Sequence, residues 1–414
     1  MRYILHSDLN NFYASVECLL NPSIRNKAVV VVGDAEKRHG IVLAKNYIAK
    51  SYGVKTGDTI WEAKNKCLEE VVTVPAHFEV YKKISKYVKD IYRSYSNRVE
   101  SFGIDEAWID ITERVKNFKE AEELANKIRL QVLMEVGITV SIGVSFNKVF
   151  AKLGSDYKKP NAVTVISDKN YKDIVWPLPC NDLIFVGAKT KAKLNKNNIV
   201  TIGDIANAGK DFMRELLGKN GESIYNFACG LDCSPVKMVG EEDKIKSVGN
   251  STTCPKDLKT DAEVKSVIYI LAENIAKRMR AKNLWCTEVC LTIKNSKLQS
   301  IDRQRKLESP TNLAGVIASV AYEIFKSEYA WSDTIRLLGV RASGICDKPL
   351  QYNFFINEDN IIKKQRLEET IDELRNRFGY KIITRACVKG DIELSTIDPT
   401  EPQHNIHPLS FLKW

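Results

Sequence analysis

The sequence predicts a multidomain protein of the α+β class. Its 414 residues exceed what one hydrophobic core usually organises, so two to four compact units are expected. In the first 166 residues, short strand-like runs are mixed with helical stretches around one sheet. A later segment, residues 245–343, is predicted as strand, helix, strand, strand, helix and strand. These observations indicate separate units built on different sheets.

Composition agrees with a folded chain that binds a polyanion. Hydrophobic residues make up 44% and charged residues 28%, values typical of globular proteins. No apolar run approaches the ~18 residues that a membrane span needs, so no membrane association is expected. The ten cysteines lack any CxxC pair, which favours reduced thiols in a cytosolic, cytoplasmic protein. Between Lys244 and Cys346, 17 Lys and Arg oppose 10 Asp and Glu, so most of the +10 net charge lies in this segment.

The most informative stretch is SFGIDEAWID, residues 101–110. Asp105 and Glu106 lie between two alternating runs, Arg98–Phe102 and Ala107–Ile111, a pattern that predicts a β-hairpin with its acids at the tip. Adjacent acids raise each other's pKa unless a cation is near. A divalent metal is the usual cation, and hard oxygen ligands favour Mg²⁺ or Mn²⁺ over Zn²⁺. The alternative for an isolated pair is a solvated acidic turn.

The first 166 residues alternate between predicted strands and predicted helices. Asp8 ends the predicted strand Arg2–Asp8, a position where α/β sheets place ligand groups. The following predicted helices are Leu9–Leu20, Asn46–Tyr52, Thr59–Leu68, Ala76–Tyr95, Lys119–Glu135 and Val149–Asp156, and the predicted strands are Ala28–Val32, Gly40–Ala44, Thr139–Val144 and Ala162–Ile166.

Pro177 and Pro179 mark a boundary before a predicted helical hairpin. Residues 186–205 read as two short helices around a turn, with Asn198 where a left-handed residue is expected. Main-chain N–H groups at such a hairpin bind phosphate without reading sequence.

The last third of the chain contains the basic β-α-β-β-α-β unit and a tail. Its predicted elements are Ile245–Thr253, Asp261–Lys282, Trp285–Lys294, Ser300–Leu307, Asn312–Glu328 and Thr334–Ser343. Arg303, Arg305 and Lys306 cluster on one strand and are candidates for contacts with a phosphate backbone, a solvated sheet face being the alternative. In the tail we expect a helix at Ile361–Arg377, a strand near Ile382–Cys387, and little structure around Pro399, Pro402 and Pro408.

Several stretches together resemble a known family. They are HSDLNNFYASVE (6–17), KNYIAKSYGVKTG (45–57), GIDEAWIDIT (103–112), SIGVSFNKVFAKLGSDYKKPN (141–161), the hairpin 186–205, KSVGNSTTCP (246–255) and IRLLGVRASGI (335–345). In this order they resemble the Y family of DNA polymerases, of the bacterial DNA polymerase IV type that copies damaged template. The resemblance covers about residues 1–346.

The resemblance implies a right-hand polymerase. Its parts would be a ferredoxin-like palm (1–10 and 77–166), small fingers (11–76), a helical thumb with a helix-hairpin-helix (167–233), a linker (234–243), a little finger (244–346) and a C-terminal tail (347–414).

The motif positions also imply the site residues. Asp8, Asp105 and Glu106 would be the catalytic metal ligands, joined by the Leu9 carbonyl, and would hold two Mg²⁺ ions for which Mn²⁺ is the expected substitute. The incoming dNTP would contact Phe12, Tyr13, Tyr47, Lys50 and Lys159, with Tyr13 as the steric gate at the sugar 2′ position and Leu43 as the roof over the base pair. Primer–template DNA would contact Gly187, Lys189, Lys191, Arg303, Arg305, Lys306, Arg336 and Arg341.

A short peptide after the basic unit is the predicted partner site. Gln351, Phe354 and Phe355 resemble the peptide by which related bacterial polymerases dock on the sliding clamp. The alternative is that Phe354 and Phe355 pack on the following helix. A monomer is expected.

Four positions depart from the family pattern. Asn10 stands where a second Asp is usual, and Gly103 replaces a Ser. Lys50 replaces an Arg, and Leu43 replaces a small residue. None removes a metal ligand, so catalysis is expected, whereas a nucleotide cyclase-like enzyme and an inactive DNA-binding scaffold are the alternatives.

Overall fold

The computed structural model describes residues 1–34, 40–68, 70–241, 244–347 and 358–400. They form two compact units, of which the first comprises Met1–Val32 with Ile41–Glu241, and the second the described residues of 33–40 and 242–407. Within the described ranges no helix is both long and apolar enough to cross a bilayer. All ten cysteines lie in these ranges and are free thiols, as predicted.

The strands of the first unit form two sheets. They are β1 (Ile4–Leu9), β2 (Val29–Val32), β3 (Val42–Lys45), β4 (Val72–Pro75), β5 (Val99–Ser101), β6 (Glu106–Asp110), β7 (Val140–Ser145) and β8 (Val163–Ile166). A five-stranded sheet has the order β5-β6-β1-β7-β8, and a three-stranded sheet, inserted after β1, has the order β3-β2-β4. Strand β1 is central and buried along its whole length, so its residues lie in the middle of the larger sheet.

The helices before residue 160 follow the predicted periodicity. They are α1 (Phe12–Leu20), α2 (Tyr47–Ser51), α3 (Ile60–Lys66), α4 (Phe78–Tyr95), α5 (Phe118–Val136) and α6 (Lys148–Tyr157). Helix α1 begins three residues later than predicted because Asn11 is left-handed, with φ 48°. Helix α6 packs tightly on β7, where a Cβ added to Gly143 would lie 1.8 Å from the Ala151 carbonyl oxygen. Only glycine permits this approach.

Five helices follow β8 in the first unit. They are α7 (Tyr171–Val175), α8 (Ala188–Asn195), α9 (Ile202–Ala208), α10 (Lys210–Leu217) and α11 (Lys219–Ala228). The predicted hairpin corresponds to α8 and α9. Asn198 is left-handed, with φ 60°, as its position indicated. Thr201 begins α9 with a reciprocal capping box to Asp204, which satisfies two main-chain donors.

The second unit has the predicted β-α-β-β-α-β order. Its elements are β9 (Ser247–Leu258), α12 (Asp261–Arg280), β10 (Trp285–Asn295), β11 (Ser300–Thr311), α13 (Ala314–Glu328) and β12 (Ile335–Cys346). The strands form an antiparallel sheet in the order β11-β10-β12-β9. Apolar residues of α12 and α13 pack with the inward residues of the strands into one core.

The tail corrects two sequence expectations. Helix α14 (Glu358–Phe378) is present, but the predicted strand near Ile382–Cys387 is wrong. A 3₁₀ turn ends at Ile382, and α15 (Ala386–Lys389) follows. The expectation of little structure also fails as far as Thr400, because Val388, Leu394 and Ile397 are buried in the core of the second unit. Residues 401–414, like the predicted clamp peptide with Gln351, Phe354 and Phe355, lie outside the described residues.

Ion pairs and a helix cap attach this tail to the unit. The Arg280 Nε donates to Asp372 Oδ2 at 2.8 Å and its guanidinium also binds Glu368. The Glu368 carboxylate accepts the Ala314 N–H at 2.9 Å, and so caps α13, which has no side-chain cap of its own. Residues 358–400 are therefore an integral part of the second unit.

Candidate active site

Three acidic residues lie at one end of the five-stranded sheet. In the pairing of β1 with β6, Asp8 is directly opposite Glu106. The Leu9 N–H donates a 3.0 Å hydrogen bond to the Asp105 carbonyl, which pins the residue before β6 to the end of β1. The predicted hairpin is confirmed as β5 and β6, with Asp105 and Glu106 where it turns. Strand register thus brings together acids that are distant in sequence.

Burial and mutual repulsion make these carboxylates costly to ionise together. Burial and the charge of Glu106 raise the pKa of Asp8 to about 6, although the charge of Lys159 opposes them. Burial, then the charges of Glu106 and Asp8, raises the pKa of Asp105 to about 6. Both effects disfavour the charged form. The site therefore favours additional positive charge.

Two lysines supply part of that charge. The Lys159 Nζ lies 2.7 Å from Asp8 Oδ2 and 2.7 Å from Asp156 Oδ1. The Lys152 Nζ lies 2.6 Å from Glu106 Oε2. Burial acts to lower the pKa of Lys159, but the charges of Asp8 and Asp156 outweigh it and raise that pKa. The Lys159 ammonium group is therefore a cation in the site.

The donor set fits divalent metal. Across the described ranges, no three His, Cys, Asp or Glu side chains already converge as metal ligands. Lys152 and Lys159 contact the Glu106 and Asp8 carboxylates. These ammonium groups stand in for cations at carboxylate oxygens, which are hard ligands that suit Mg²⁺ and Mn²⁺. Raised carboxylate pKa values and two stand-in cations together indicate a site built for more positive charge.

A buried histidine borders the acids. The side chain of His6 is fully buried, and its Nδ1 lies 2.8 Å from Ser155 Oγ. Its Nε2 lies 3.3 Å from Glu106 Oε2 but without hydrogen-bond geometry. Burial, and then the charge of Lys152, lowers the pKa of His6 well below its usual range. A neutral imidazole thus forms one wall beside Glu106.

Two departures from the family pattern have structural reasons. The buried Asn10 donates from Nδ2 to Ser141 Oγ at 2.9 Å and accepts the Asn161 N–H at 2.9 Å. The Asn10 side chain thus has a structural role, because it connects β1 to the segments that carry Ser141 and Asn161. Gly103 has φ 93°, and a Cβ there would lie 3.4 Å from Asp105 Oδ1. A serine at this position would be strained in the left-handed region.

Several predicted nucleotide contacts are near the acids. Burial raises the pKa of Tyr47, on which the charges of Lys159 and Asp8 act in opposite directions, so Tyr47 lies within electrostatic reach of both. The exposed Lys50 places its Nζ 5.6 Å from the centre of the Tyr47 ring. Leu43 is half-buried on the preceding strand, β3. The structure thus places Tyr47 within electrostatic reach of Lys159 and Asp8, with Lys50 beside the Tyr47 ring.

The predicted steric gate is a half-buried ring on α1. Tyr13 stacks on Tyr81, with ring centroids 4.4 Å apart and planes 12° apart, and it meets Phe78 edge-on. Burial and the charge of Asp105 raise the pKa of Tyr13 to about 12, which keeps its hydroxyl protonated. Phe12 is only 3% exposed, so its side chain belongs to the core. The predicted contact of Phe12 with a nucleotide would therefore involve its main chain.

The helical hairpin presents a polar helix start. Gly187 precedes α8 without a side-chain cap, so the first N–H groups of this helix are not used by the side chain before them. Gly187 and Lys189 are exposed and Lys191 is half-buried. This arrangement suits a phosphate group.

Two basic residues of the second unit lie on its helix-covered face. In the β10–β11 register, Arg303 and Arg305 are opposite core residues of β10, and opposite residues share a face. The Arg303 Nε lies 2.8 Å from Glu328, and the Arg305 Nη1 lies 2.9 Å from Glu323, both acids on α13. Their charges are therefore partly matched within the unit.

Other basic residues lie on the open face of the same sheet. Lys306 is opposite Glu288, and Arg341 is opposite Cys290, positions that alternate with the core residues. Arg336 is half-buried at an irregularity in the β10–β12 pairing. The sequence grouped Arg303, Arg305 and Lys306 together, whereas the pleat separates Lys306 from the other two.

Sequence reasoning missed five residues of this region, which are His6, Glu17, Tyr81, Lys152 and Asp156. Lys152 and Asp156 are four apart on α6, inside the conspicuous stretch 141–161, and this spacing was a usable signal. No comparable signal exists for Tyr81, because its partners Tyr13 and Glu17 are distant in sequence.

Comparison with known protein families gives two matches. Residues 7–156 match the model described as the impB/mucB/samB family, and residues 245–354 match the impB/mucB/samB family C-terminal domain. The chain is 48% identical over 399 residues to "DNA polymerase IV" of Acetivibrio thermocellus, covering 96% of this chain and 100% of that protein. It is 35% identical to "DNA polymerase IV 1" of Halalkalibacterium halodurans, covering 93% of this chain and 92% of that protein.

Solved structures agree on the fold. A Y-family DNA polymerase chimera of Dbh and Dpo4 superposes with a TM-score of 0.73 at 24% identity, covering 84% of this chain and 100% of that one. DinB from Sulfolobus solfataricus superposes with a TM-score of 0.57 at 25% identity and the same coverage.

Proposed function

This chain belongs to the Y family of DNA polymerases, and we propose that Asp8, Asp105 and Glu106 are the ligands of its catalytic metal ions. Membership makes it a DNA-directed DNA polymerase, a nucleotidyltransferase that acts in translesion synthesis and DNA repair. The observation that carries the proposal is the grouping of three acidic residues at one sheet end, where two pKa values are raised and two lysines supply charge. The Leu9 carbonyl is the proposed fourth ligand group.

The proposed cofactor is a pair of Mg²⁺ ions, with Mn²⁺ as the substitute. When bound, such ions activate the primer 3′-OH and offset the charge that develops on the leaving pyrophosphate. Lys159, together with Tyr47 and Lys50, binds the triphosphate and orients it for in-line transfer. Because Lys159 contacts Asp8 in the free protein, nucleotide binding exchanges that contact for one with phosphate.

The pocket selects its substrate by shape. Tyr13 is the proposed steric gate, whose ring occupies the space that a ribose 2′-hydroxyl would need. Phe12 contributes through its main chain. Leu43 is the proposed roof over the nascent base pair, and Leu43→Ala is expected to help bypass of bulky adducts more than copying of undamaged template.

DNA binding is assigned to two surfaces. The hairpin residues Gly187, Lys189 and Lys191 bind phosphate through main-chain N–H groups and ammonium charge. On the β-α-β-β-α-β unit, Lys306 and Arg341 on the open face are the strongest candidates. Arg336 and the partly matched Arg303 and Arg305 contribute long-range attraction. In this arrangement the first unit supplies palm, fingers and thumb, and the second supplies the little finger.

A sliding clamp is the proposed protein partner. Gln351 would fix the orientation of a docked peptide whose anchors are Phe354 and Phe355. Replacing these three residues with alanine should remove stimulation by the clamp and leave synthesis on short primers intact. A variant that is still stimulated would refute the proposal. We expect a monomeric enzyme in the bacterial cytoplasm.

Primer extension tests the central proposal. Undamaged and damaged templates are copied with Mg²⁺, with Mn²⁺ and with a chelator, and Mg²⁺ binding is measured separately by titration calorimetry. Extension should need metal, and Asp105→Asn should lose both metal affinity and extension. Metal-independent extension, or normal Mg²⁺ affinity in Asp105→Asn, would overturn the ligand assignment. The cyclase-like and scaffold alternatives are not favoured by the family relationship.

A further inference from the structure

A buried carboxylate lies behind the proposed steric gate. Glu17 is only 3% exposed, although charged side chains are rarely buried without a specific partner. Its Oε1 accepts the hydroxyl hydrogen bond of Tyr81 and lies 2.9 Å from the Nδ1 of His77. The site's chemistry uses none of these three groups. The role of these three groups therefore lies in the neighbouring side chains that they hold in position.

The geometry of helix α1 shows that the Tyr81 ring is the group held in place. Tyr13 and Glu17 are four residues apart on α1, so they lie on the same face of that helix. Tyr81, on α4, contacts both: its ring stacks on Tyr13 at 4.4 Å, and its hydroxyl donates to Glu17. The stack sets the plane of the Tyr81 ring, and the hydrogen bond sets the direction of its long axis. Tyr81 is thus fixed at both ends.

The protonation states favour the same contact. Burial, and then the hydrogen bond to Glu17, raises the pKa of Tyr81, so its hydroxyl is available as a donor. Tyr81 is completely buried, whereas Tyr13 is only half-buried and lies within the field of Asp105. Tyr13 is therefore the member of the stack that a substrate can meet.

We propose that Glu17 is a positioning residue for sugar selection, because through Tyr81 it holds the Tyr13 ring at the tilt that excludes a 2′-hydroxyl. The inference rests on the proposed role of Tyr13 as the steric gate. An unsupported ring could turn about its side-chain torsions and open space for a ribonucleotide. Glu17 touches no substrate and acts only through the stack. His77 supplies the second hydrogen-bonding group at the Glu17 carboxylate.

The alternative is that Glu17 merely joins α1 to α4. A purely structural role would lower the active fraction of a variant but would not alter its preference between two nucleotides. The informative quantity is therefore the ratio of kcat/KM for a dNTP to that for the matching rNTP, measured on one preparation. This ratio is independent of how much of the protein is folded.

The experiment compares single and double variants on the full chain. Glu17→Ala and Tyr81→Phe should each lower the dNTP/rNTP ratio by roughly 3- to 30-fold, mainly through a lower KM for rNTP, while kcat/KM for dNTP stays within about twofold. In the Tyr13→Ala background the same substitutions should add nothing, because the ring they position is absent. Tyr3→Phe is the matched control, since it removes a hydroxyl bond to the Lys116 carbonyl near the opposite end of β1.

Each outcome decides between the two claims. If Tyr13→Ala lowers the ratio but Glu17→Ala and Tyr81→Phe do not, the steric gate stands and the positioning role is refuted. If both substitutions still lower the ratio in the Tyr13→Ala background, Glu17 acts by another route and the inference fails. An unchanged ratio in Tyr13→Ala overturns the gate assignment and the inference together. Glu17→Gln, which keeps an oxygen acceptor, should retain more selectivity than Glu17→Ala.

Discussion

The two units treat buried charge in opposite ways. At the end of β1, Asp8 and Asp105 are held close to Glu106 with pKa values raised to about 6, and two lysines balance only part of the charge. In the second unit, Arg280 and Arg375 are similarly buried, but carboxylates match both. Buried carboxylates whose charge is only partly balanced indicate a site that binds a cation. Buried arginines that are fully paired with carboxylates indicate structural ion pairs. Substitutions should therefore have opposite effects on stability in the two places.

The largest effect is expected on catalysis in the first unit. Asp105→Asn, or Glu106→Gln, should lower primer extension by at least about 10³-fold, because a ligand charge for the metal ions is lost. DNA affinity should stay close to that of the wild type, since the proposed DNA contacts lie elsewhere. Single-turnover extension and equilibrium DNA binding measure the two quantities. Extension at the wild-type rate would remove the acids from the mechanism.

The next largest effect is expected on stability in the second unit. Arg280→Met should destabilise this unit by about 3 to 5 kcal/mol, since it leaves the half-buried Asp372 and Glu368 without their cation. Hydrogen exchange of α12, followed by mass spectrometry, measures the change. The matched control is Arg303→Met, which breaks an exposed pair with Glu328 and should cost less than about 1 kcal/mol. Equal losses of stability in the two variants would contradict the distinction between the structural ion pair of Arg280 and the surface pair of Arg303.

The opposite sign is expected for stability at the acidic site. An Asp105 whose folded-state pKa is raised contributes stability below its unfolded pKa, near 4, and this contribution is lost as pH rises through about 6. Without metal at pH 7.5, Asp105→Asn should therefore be more stable than the wild type by about 1 to 3 kcal/mol.

Denaturant unfolding at several pH values tests this prediction. The advantage of Asp105→Asn should shrink as pH falls from 7 to 5, and Mg²⁺ should stabilise the wild type more than the variant. A variant less stable than the wild type at pH 7.5 would mean that the acids are already balanced in the free protein.

The smallest effects are expected on the open face of the second unit. Lys306→Ala should weaken DNA binding by about 1 kcal/mol or less and reduce the dependence of log K on log salt by about one phosphate contact. Arg303→Ala should change both less, because Glu328 already matches its charge. Fluorescence anisotropy over a salt series provides the test. A larger loss for Arg303→Ala would assign DNA binding to the helix-side edge instead.

Local patterns were sufficient to predict elements and the core of the site. The alternation around Asp105 and Glu106 predicts the hairpin, and the position of Asn198 after a helix predicts its left-handed conformation. The order of elements in the second unit was also predicted correctly. These features depend on side-chain periodicity and main-chain conformation within a few residues, which the sequence displays directly. Joined with the family motifs, they located the three acids.

Contacts between segments that are distant in sequence were decided only by the tertiary structure. Lys152 meets Glu106 across 46 residues and Tyr81 meets Glu17 across 64, pairings that no periodicity announces. The burial of Leu394 in the core of the second unit likewise contradicts the prediction of little structure, which rested on a polar, proline-containing sequence. The physical reason is that periodicity reports which side of an element is apolar, whereas register and packing decide what that side meets. The sequence by itself therefore determined most elements and the acids, and the fold decided which cations and rings surround them.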